Sequence, residues 1–173
     1  MTISLKSPQA LIFDMDGVLV DSEPLHKRAK ELAFRDFGIE FPASTYDSYK
    51  GRPDATMFHE VLAGESVEVI AEILHRKHQW FEKIEHELQP VAGAVDFVEW
   101  AARRYRLAVA TSATPRNRIA ALQSLGIANR FESLVDTARF TRPKPDPEIF
   151  QVATQDLGLN QPIAGSLKTH WRE

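Results

Sequence analysis

The chain has 173 residues, no cysteine and a formal net charge of −3, with 43% hydrophobic and 26% charged residues. Such a length and composition suit one soluble domain, or one domain with a small insertion, able to bury a core of its own. They exclude disulfide and thiolate chemistry, offer no basic face to nucleic acid, and include no run of the roughly 18–20 apolar residues that a membrane span needs.

Residues 10–13, Ala-Leu-Ile-Phe, form an apolar run that ends in Asp14 and Asp16, with Gly17 after them. A continuous apolar run closed by a turn signal predicts a strand buried on both faces, as in a parallel sheet. Two acids at the end of such a strand repel each other, and desolvation sharpens the repulsion. The pair calls for a cation, and a hard one such as Mg²⁺ prefers oxygen ligands. Ligands of open α/β sheets sit outside the carboxyl ends of the strands, where these acids fall. A solvated turn also uses Asp-x-Asp-Gly, as do calcium loops; the strand ahead of it and three later stretches favour a site.

After Asp21 the period becomes helical. Ser22 is placed to cap, Pro24 lies in the first turn, and Leu25, Ala29, Leu32 and Ala33 recur on one face before Gly38. Residues 53–63 and 66–88 read as further helices, the second with Val69, Ile70, Ile73, Leu74, Trp80, Phe81 and Ile84 on or near one face. Helices without a strand signal between two β units predict an inserted helical module. His75, His78 and His86 on the longest helix read as a solvated face, since no acid or cysteine completes a metal set at a specific spacing.

Pro90 and Gly93 punctuate the return. Residues 94–104 are helical, 107–111 a buried strand, and Thr114-Pro115 a cap with a first-turn proline opening a helix that Gly126 closes. A short strand at 134–136 precedes Arg142-Pro143-Lys144-Pro145-Asp146-Pro147, whose prolines stiffen the loop, and Asp146 is placed to cap a helix over 147–157. The alternation predicts an α/β fold with a doubly wound parallel sheet.

Phosphate transfer needs a nucleophile, an acid/base, cations on the phosphate oxygens and a metal. Asp14 is the candidate nucleophile, because carboxylates form aspartyl-phosphates, and Asp16 the candidate acid/base. Thr111 and Ser112, ahead of a helix N-terminus, can donate to phosphoryl oxygens, although a plain capping turn reads the same way. Lys144 is a point charge on a rigid stalk, able to balance nucleophile and phosphate together.

On these residues the chain resembles the haloacid dehalogenase-like hydrolases. Asp14-Met15-Asp16-Gly17-Val18 is similar to their first motif, and the run through Asp21-Ser22-Glu23-Pro24-Leu25-His26 resembles the subgroup of β-phosphoglucomutases and small sugar-phosphate phosphatases. The resemblance implies a Rossmann-like core at 1–21 and 89–173 with a helical cap at 22–88. It implies that Asp14 is nucleophile and Mg²⁺ ligand, and that Asp16 is acid/base and holds Mg²⁺ through its backbone carbonyl. Thr111, with Ser112 beside it, answers to the second motif, and Lys144-Pro145-Asp146-Pro147 to the third. His26 lies twelve residues after Asp14, where mutases carry a cap histidine. Gly51-Arg52 resembles the cap specificity loop. Mutases place an arginine three residues after that glycine, and this chain has Asp54 there. Arg52 stands near enough to substitute, but an acid close to a phosphate is unfavourable, so the departure favours a phosphatase.

The family continues into a fourth strand and an acidic motif that completes the Mg²⁺ site. Here the corresponding place reads Leu167, Lys168, Thr169 and His170, with no apolar strand and no acid until Glu173. The resemblance therefore implies an incomplete sheet, a central strand turned into an edge, and weakened metal binding. The expected activity is Mg²⁺-dependent hydrolysis of a small phosphorylated metabolite, with a hexose-phosphate mutase and a truncated, impaired family member as the other readings. No basic-then-apolar leader is visible and cysteine is absent, so the expected location is the cytoplasm, with no nucleic-acid or membrane partner; no residue pattern speaks to oligomeric state.

Overall fold

The structure, a computed structural model, describes residues 8–44, 46–50 and 52–159. Gly51 and the stretch at 160–173, on which the expectation of an incomplete sheet and metal site falls, lie outside the described residues. The chain divides into two units, Met1–Asp21 with Leu88–Glu173, and Ser22–Glu87.

Strands β1 (Ala10–Phe13) and β2 (Val20–Asp21) come first. Helices α1 (Glu23–Asp36), α2 (Asp54–Val61) and α3 (Val67–Ile84) make up the second unit, and β3 (Gln89–Pro90) returns the chain to the first. There follow α4 (Ala94–Ala102), β4 (Arg106–Ala110), α5 (Pro115–Ser124), β5 (Ser133–Val135) and α6 (Glu148–Asp156).

In the first unit β1, β4 and β5 form a parallel sheet in that order, with Phe13 opposite Val109 and Ala110 opposite Val135. The helices between successive strands make this a Rossmann-like α/β core. β4 is the middle strand, and Leu107 to Ala110 are all buried, which accounts for its unbroken apolar run. β1 departs from the expectation of burial on both faces: only Phe13 is buried, while Ala10, Leu11 and Ile12 are half-buried. The reason is its place, since among the described residues it pairs with β4 alone. Ile149, Ala153 and Leu157 of α6 and the residue after it close over Ala108, Ala110 and Val135. Sequence reading missed the two-residue ribbon in which β2 and β3 pair antiparallel. Strands this short carry no periodicity.

The second unit is a small helical module whose core joins Phe34, Tyr46, Met57, Phe58, Leu62, Ile70 and Ile73. Phe34 meets Phe58 and Phe41 edge to face, at 5.4 and 5.5 Å between ring centroids. Each such fully buried apolar side chain contributes about 1.5–3 kcal/mol. α3 is shorter than the predicted 66–88: it ends at Ile84, and a single 3₁₀ turn, Glu85–Glu87, carries His86. Among the described residues, no helix is long and apolar enough to cross a membrane.

Candidate active site

In the first unit, β1 delivers Asp14 to the carboxyl end of the sheet and the chain turns at once. Gly17 takes φ 72°, a left-handed geometry that side chains disfavour. Its N–H donates to the Val20 carbonyl at 2.8 Å, while the N–H groups of Leu19 and Val20 donate to the Met15 carbonyl at 2.8 and 3.1 Å. Asp14 Oδ1 accepts the Met15 N–H at 2.8 Å. Asp16 is exposed in the same turn and bridges to Val20.

β4 ends beside β1, and Thr111 follows, fully buried. Its N–H donates to the Val135 carbonyl at 2.9 Å, and its Oγ1 accepts the Ala113 N–H at 3.0 Å. Ser112 is exposed. Thr114 caps α5 as expected, with Oγ1 accepting the Asn117 N–H at 3.3 Å.

The loop after β5 carries Lys144. Glu148 anchors this loop by accepting the N–H groups of Thr141 and Arg142 at 3.2 and 2.7 Å, and Asp146 Oδ1 accepts the Glu148 N–H at 2.9 Å. Those donors, the Arg142 N–H foremost, hold the Glu148 carboxyl below its ordinary range. Lys144 Nζ then reaches back to the sheet, donating to the Ala110 carbonyl at 3.0 Å and pairing with Asp14 Oδ2 at 2.8 Å. One ammonium thus ties together the carboxyl ends of two neighbouring strands. Sequence reading missed a second pair in this unit, the nearly buried Arg118 and Asp136, joined at 2.8 Å. Asp136 follows β5 directly and Arg118 lies on α5, so they meet only once the helix folds back.

The remaining sequence candidates lie in the helical unit, and here the structure changes their meaning. Arg52 is exposed, bound by Glu60 at 2.5 Å and stacked 5.1 Å from the Tyr49 ring. Asp54 is not the lone acid that its place in the sequence suggests. It sits between two lysines that sequence reading did not single out, Lys77 at 2.6 Å and Lys30 at 2.9 Å. Burial alone raises its pKa, but Lys77 and then Lys30 outweigh it and hold the carboxyl at about 2. Lys30 Nζ also donates to the Tyr46 hydroxyl at 3.1 Å, which donates in turn to Glu23 at 2.6 Å. Burial and that acceptor push the Tyr46 phenol up.

His26 closes this chain of contacts. Its Nδ1 lies 3.2 Å from Lys77 Nζ, and its ring stacks on Phe81 at 4.2 Å. Burial first, then the Lys77 charge, pushes its pKa from the ordinary 6.5 down to about 3. One signal for the missed lysine was available: Lys77 interrupts the apolar face formed by Ile70, Ile73, Phe81 and Ile84, and is itself only 3% exposed. A lysine on such a stripe needs a buried counter-charge.

The model of the haloacid dehalogenase-like hydrolases matches residues 11–164. A phosphorylated carbohydrates phosphatase from Thermotoga maritima is 29% identical over 156 residues, spanning 87% of this chain and 71% of the relative. The fructose-1-phosphate phosphatase YqaB of Escherichia coli K12 is 27% identical over 162 residues, spanning 86% and 80%. Among solved structures, a haloacid dehalogenase-like hydrolase from Streptococcus pneumoniae superposes with a TM-score of 0.75 at 24% identity, covering 91% of this chain and 73% of that one. At that identity it speaks for the fold. A match over most of the chain settles the family: this chain belongs to the haloacid dehalogenase-like hydrolases.

Proposed function

We propose that this chain is a Mg²⁺-dependent phosphatase that hydrolyses a small phosphomonoester, a sugar phosphate, through an aspartyl-phosphate on Asp14, and that it works in the cytoplasm. The observation that carries the reading is Lys144 Nζ held 2.8 Å from Asp14 Oδ2 and 3.0 Å from the Ala110 carbonyl, where β1 and β4 end side by side. An ammonium locked there can neutralise a phosphoryl oxygen as the Asp14 carboxylate attacks. The relatives named for phosphorylated carbohydrates and fructose 1-phosphate support the substrate class.

In this mechanism an Asp14 carboxylate oxygen bonds to phosphorus as the ester P–O bond breaks, and Asp16 gives its proton to the departing alkoxide. Asp16, now a carboxylate, takes a proton from the water that attacks the phosphoryl-aspartate. Inorganic phosphate leaves and Asp14 is restored. Thr111 and Ser112, with the α5 N-terminus behind them, are the donors for the remaining phosphoryl oxygens.

The donor set suits a hard cation. Asp14 and Asp16 bring oxygen ligands to one turn, and Mg²⁺ commonly takes one or two carboxylates with waters and a substrate phosphate completing its shell. Among the described residues, no three His, Cys, Asp or Glu side chains gather into a fuller site. Mg²⁺ bound there supplies charge stabilisation to the phosphoryl oxygens.

Hydrolysis is preferred to phosphate retention because the residue at the mutase arginine's position is Asp54, engaged by Lys30 and Lys77, and the neighbouring Arg52 is engaged by Glu60. The test is phosphate release from a panel of sugar phosphates with Mg²⁺ and after chelation. Wild-type protein should release phosphate, chelation should stop it, and Asp14→Asn should abolish it. Activity retained in Asp14→Asn removes Asp14 as nucleophile, and interconversion of sugar phosphates without release makes the protein a mutase.

A further inference from the structure

The contacts of Asp54 assign a definite proton to His26. An ammonium has no lone pair, so at 3.2 Å Lys77 Nζ must be the donor and His26 Nδ1 the acceptor. A neutral imidazole that accepts at Nδ1 carries its single proton on Nε2. Lys77 can play this part only while charged, and it is almost wholly buried. Burial pulls its pKa below the ordinary lysine range, and Asp54 pulls the other way. The 2.6 Å contact to a carboxylate is what keeps it an ammonium.

We propose that Asp54 is a positioning residue: by holding Lys77 charged against His26 Nδ1, it fixes the imidazole as the neutral Nε2–H form, whose single ring proton is a hydrogen-bond donor at the nitrogen away from Lys77. This placement of the proton does not depend on the function proposed above. The titratable groups that bear on His26 come from three helices: Lys77 and His78 from α3, Asp54 from α2, and Lys30 from α1 itself. Asp54 is the one anion among them, and it is shared between the two lysines. The geometry therefore leaves the imidazole facing net positive charge, which disfavours its protonation. Stacking on Phe81 holds the ring plane while the lysine selects the nitrogen.

The experiment is a long-range ¹H–¹⁵N correlation spectrum of the histidines of the full chain near neutral pH, with His26 assigned by its loss in His26→Gln. Wild-type His26 should give the neutral Nε2–H pattern. In Asp54→Asn, Lys77 loses its counter-ion, gives up its proton and becomes an acceptor, so the Nδ1–H form should appear; Asp54→Glu should restore Nε2–H. A folded Asp54→Asn protein whose His26 spectrum is unchanged overturns the proposal. So does a wild-type His26 that is an imidazolium or Nδ1–H. Should Asp54→Asn not fold, Lys77→Met serves: without the ammonium, His26 should take up a proton at higher pH than in wild type, and an unaltered titration overturns the proposal. Phosphate release measured on the same samples separates the two ideas. An inactive wild type with the expected spectrum refutes the enzyme reading alone, and an active wild type with the wrong tautomer refutes the role of Asp54 alone.

Discussion

Lys144 shows how much a single side chain can be asked to do. Its Nζ spans Asp14 and the Ala110 carbonyl, and the same Nζ lies 5.3 Å from the centre of the Phe150 ring. Replacing it with methionine keeps most of the volume and removes the charge. Loss of one preorganised donor to a developing anion typically costs about 10²–10³ in kcat, and that is the fall expected for Lys144→Met. The thermal midpoint should barely move, because the side chain is partly exposed and such ion pairs contribute little to stability. Lys144→Arg should not rescue, since a planar fork cannot replace a compact ammonium between two acceptors. Steady-state kinetics beside a melting curve check this; equal kcat in Lys144→Met and wild type would remove the lysine from the chemistry.

At the scale of elements, the donors proposed for phosphate depend on how α5 begins. Thr114 takes an extended geometry and caps the helix through the Asn117 N–H, and Pro115 occupies the first turn. Thr114→Ala should cost about 1 kcal/mol of stability, the usual loss of a capping oxygen. Thr114→Asp keeps an oxygen cap and adds a negative charge at the helix N-terminus. It should hold stability while raising KM for a phosphate ester through like-charge repulsion. Urea melts and substrate titrations of the two variants separate the cap from the anion site. If Thr114→Asp leaves KM unchanged, the α5 N-terminus takes no part in binding phosphate.

For the molecule as a whole, the buried network of the helical unit sets how the fold responds to acid. Folded His26 titrates at about 3 against an ordinary 6.5, so between these values the unfolded chain binds a proton that the folded one does not. Its contribution is present above pH 6.5 and is lost as the pH falls toward 3, with a slope of at most about 1.4 kcal/mol per pH unit. Asp54, held at about 2 against 3.8, works in the same direction at lower pH. Denaturation midpoints should therefore fall on acidification from pH 6.5 downward, and His26→Gln should flatten the upper part of that fall. A mutant with the wild-type slope would show that His26 is not buried neutral.

The sequence by itself determined what depends on near neighbours along the chain. Apolar runs and their turn signals marked β1 and β4, Thr114-Pro115 marked the start of α5, and Asp14-Met15-Asp16-Gly17 with Lys144-Pro145-Asp146-Pro147 marked the family. Tertiary structure alone decided which distant charges meet. Lys144 could be recognised as a motif lysine, but its contact with Asp14 exists because β1 and β4 are neighbours and the loop after β5 folds back over them. Asp54 read as an acid that would repel phosphate; three packed helices made it the anion shared by Lys30 and Lys77. The physical reason is one of range. Hydrophobic periodicity and capping act within a turn or two of helix and leave a local trace, whereas a buried ion pair is selected by whichever opposite charge the packing brings within about 3 Å, and that choice leaves no mark in the order of residues.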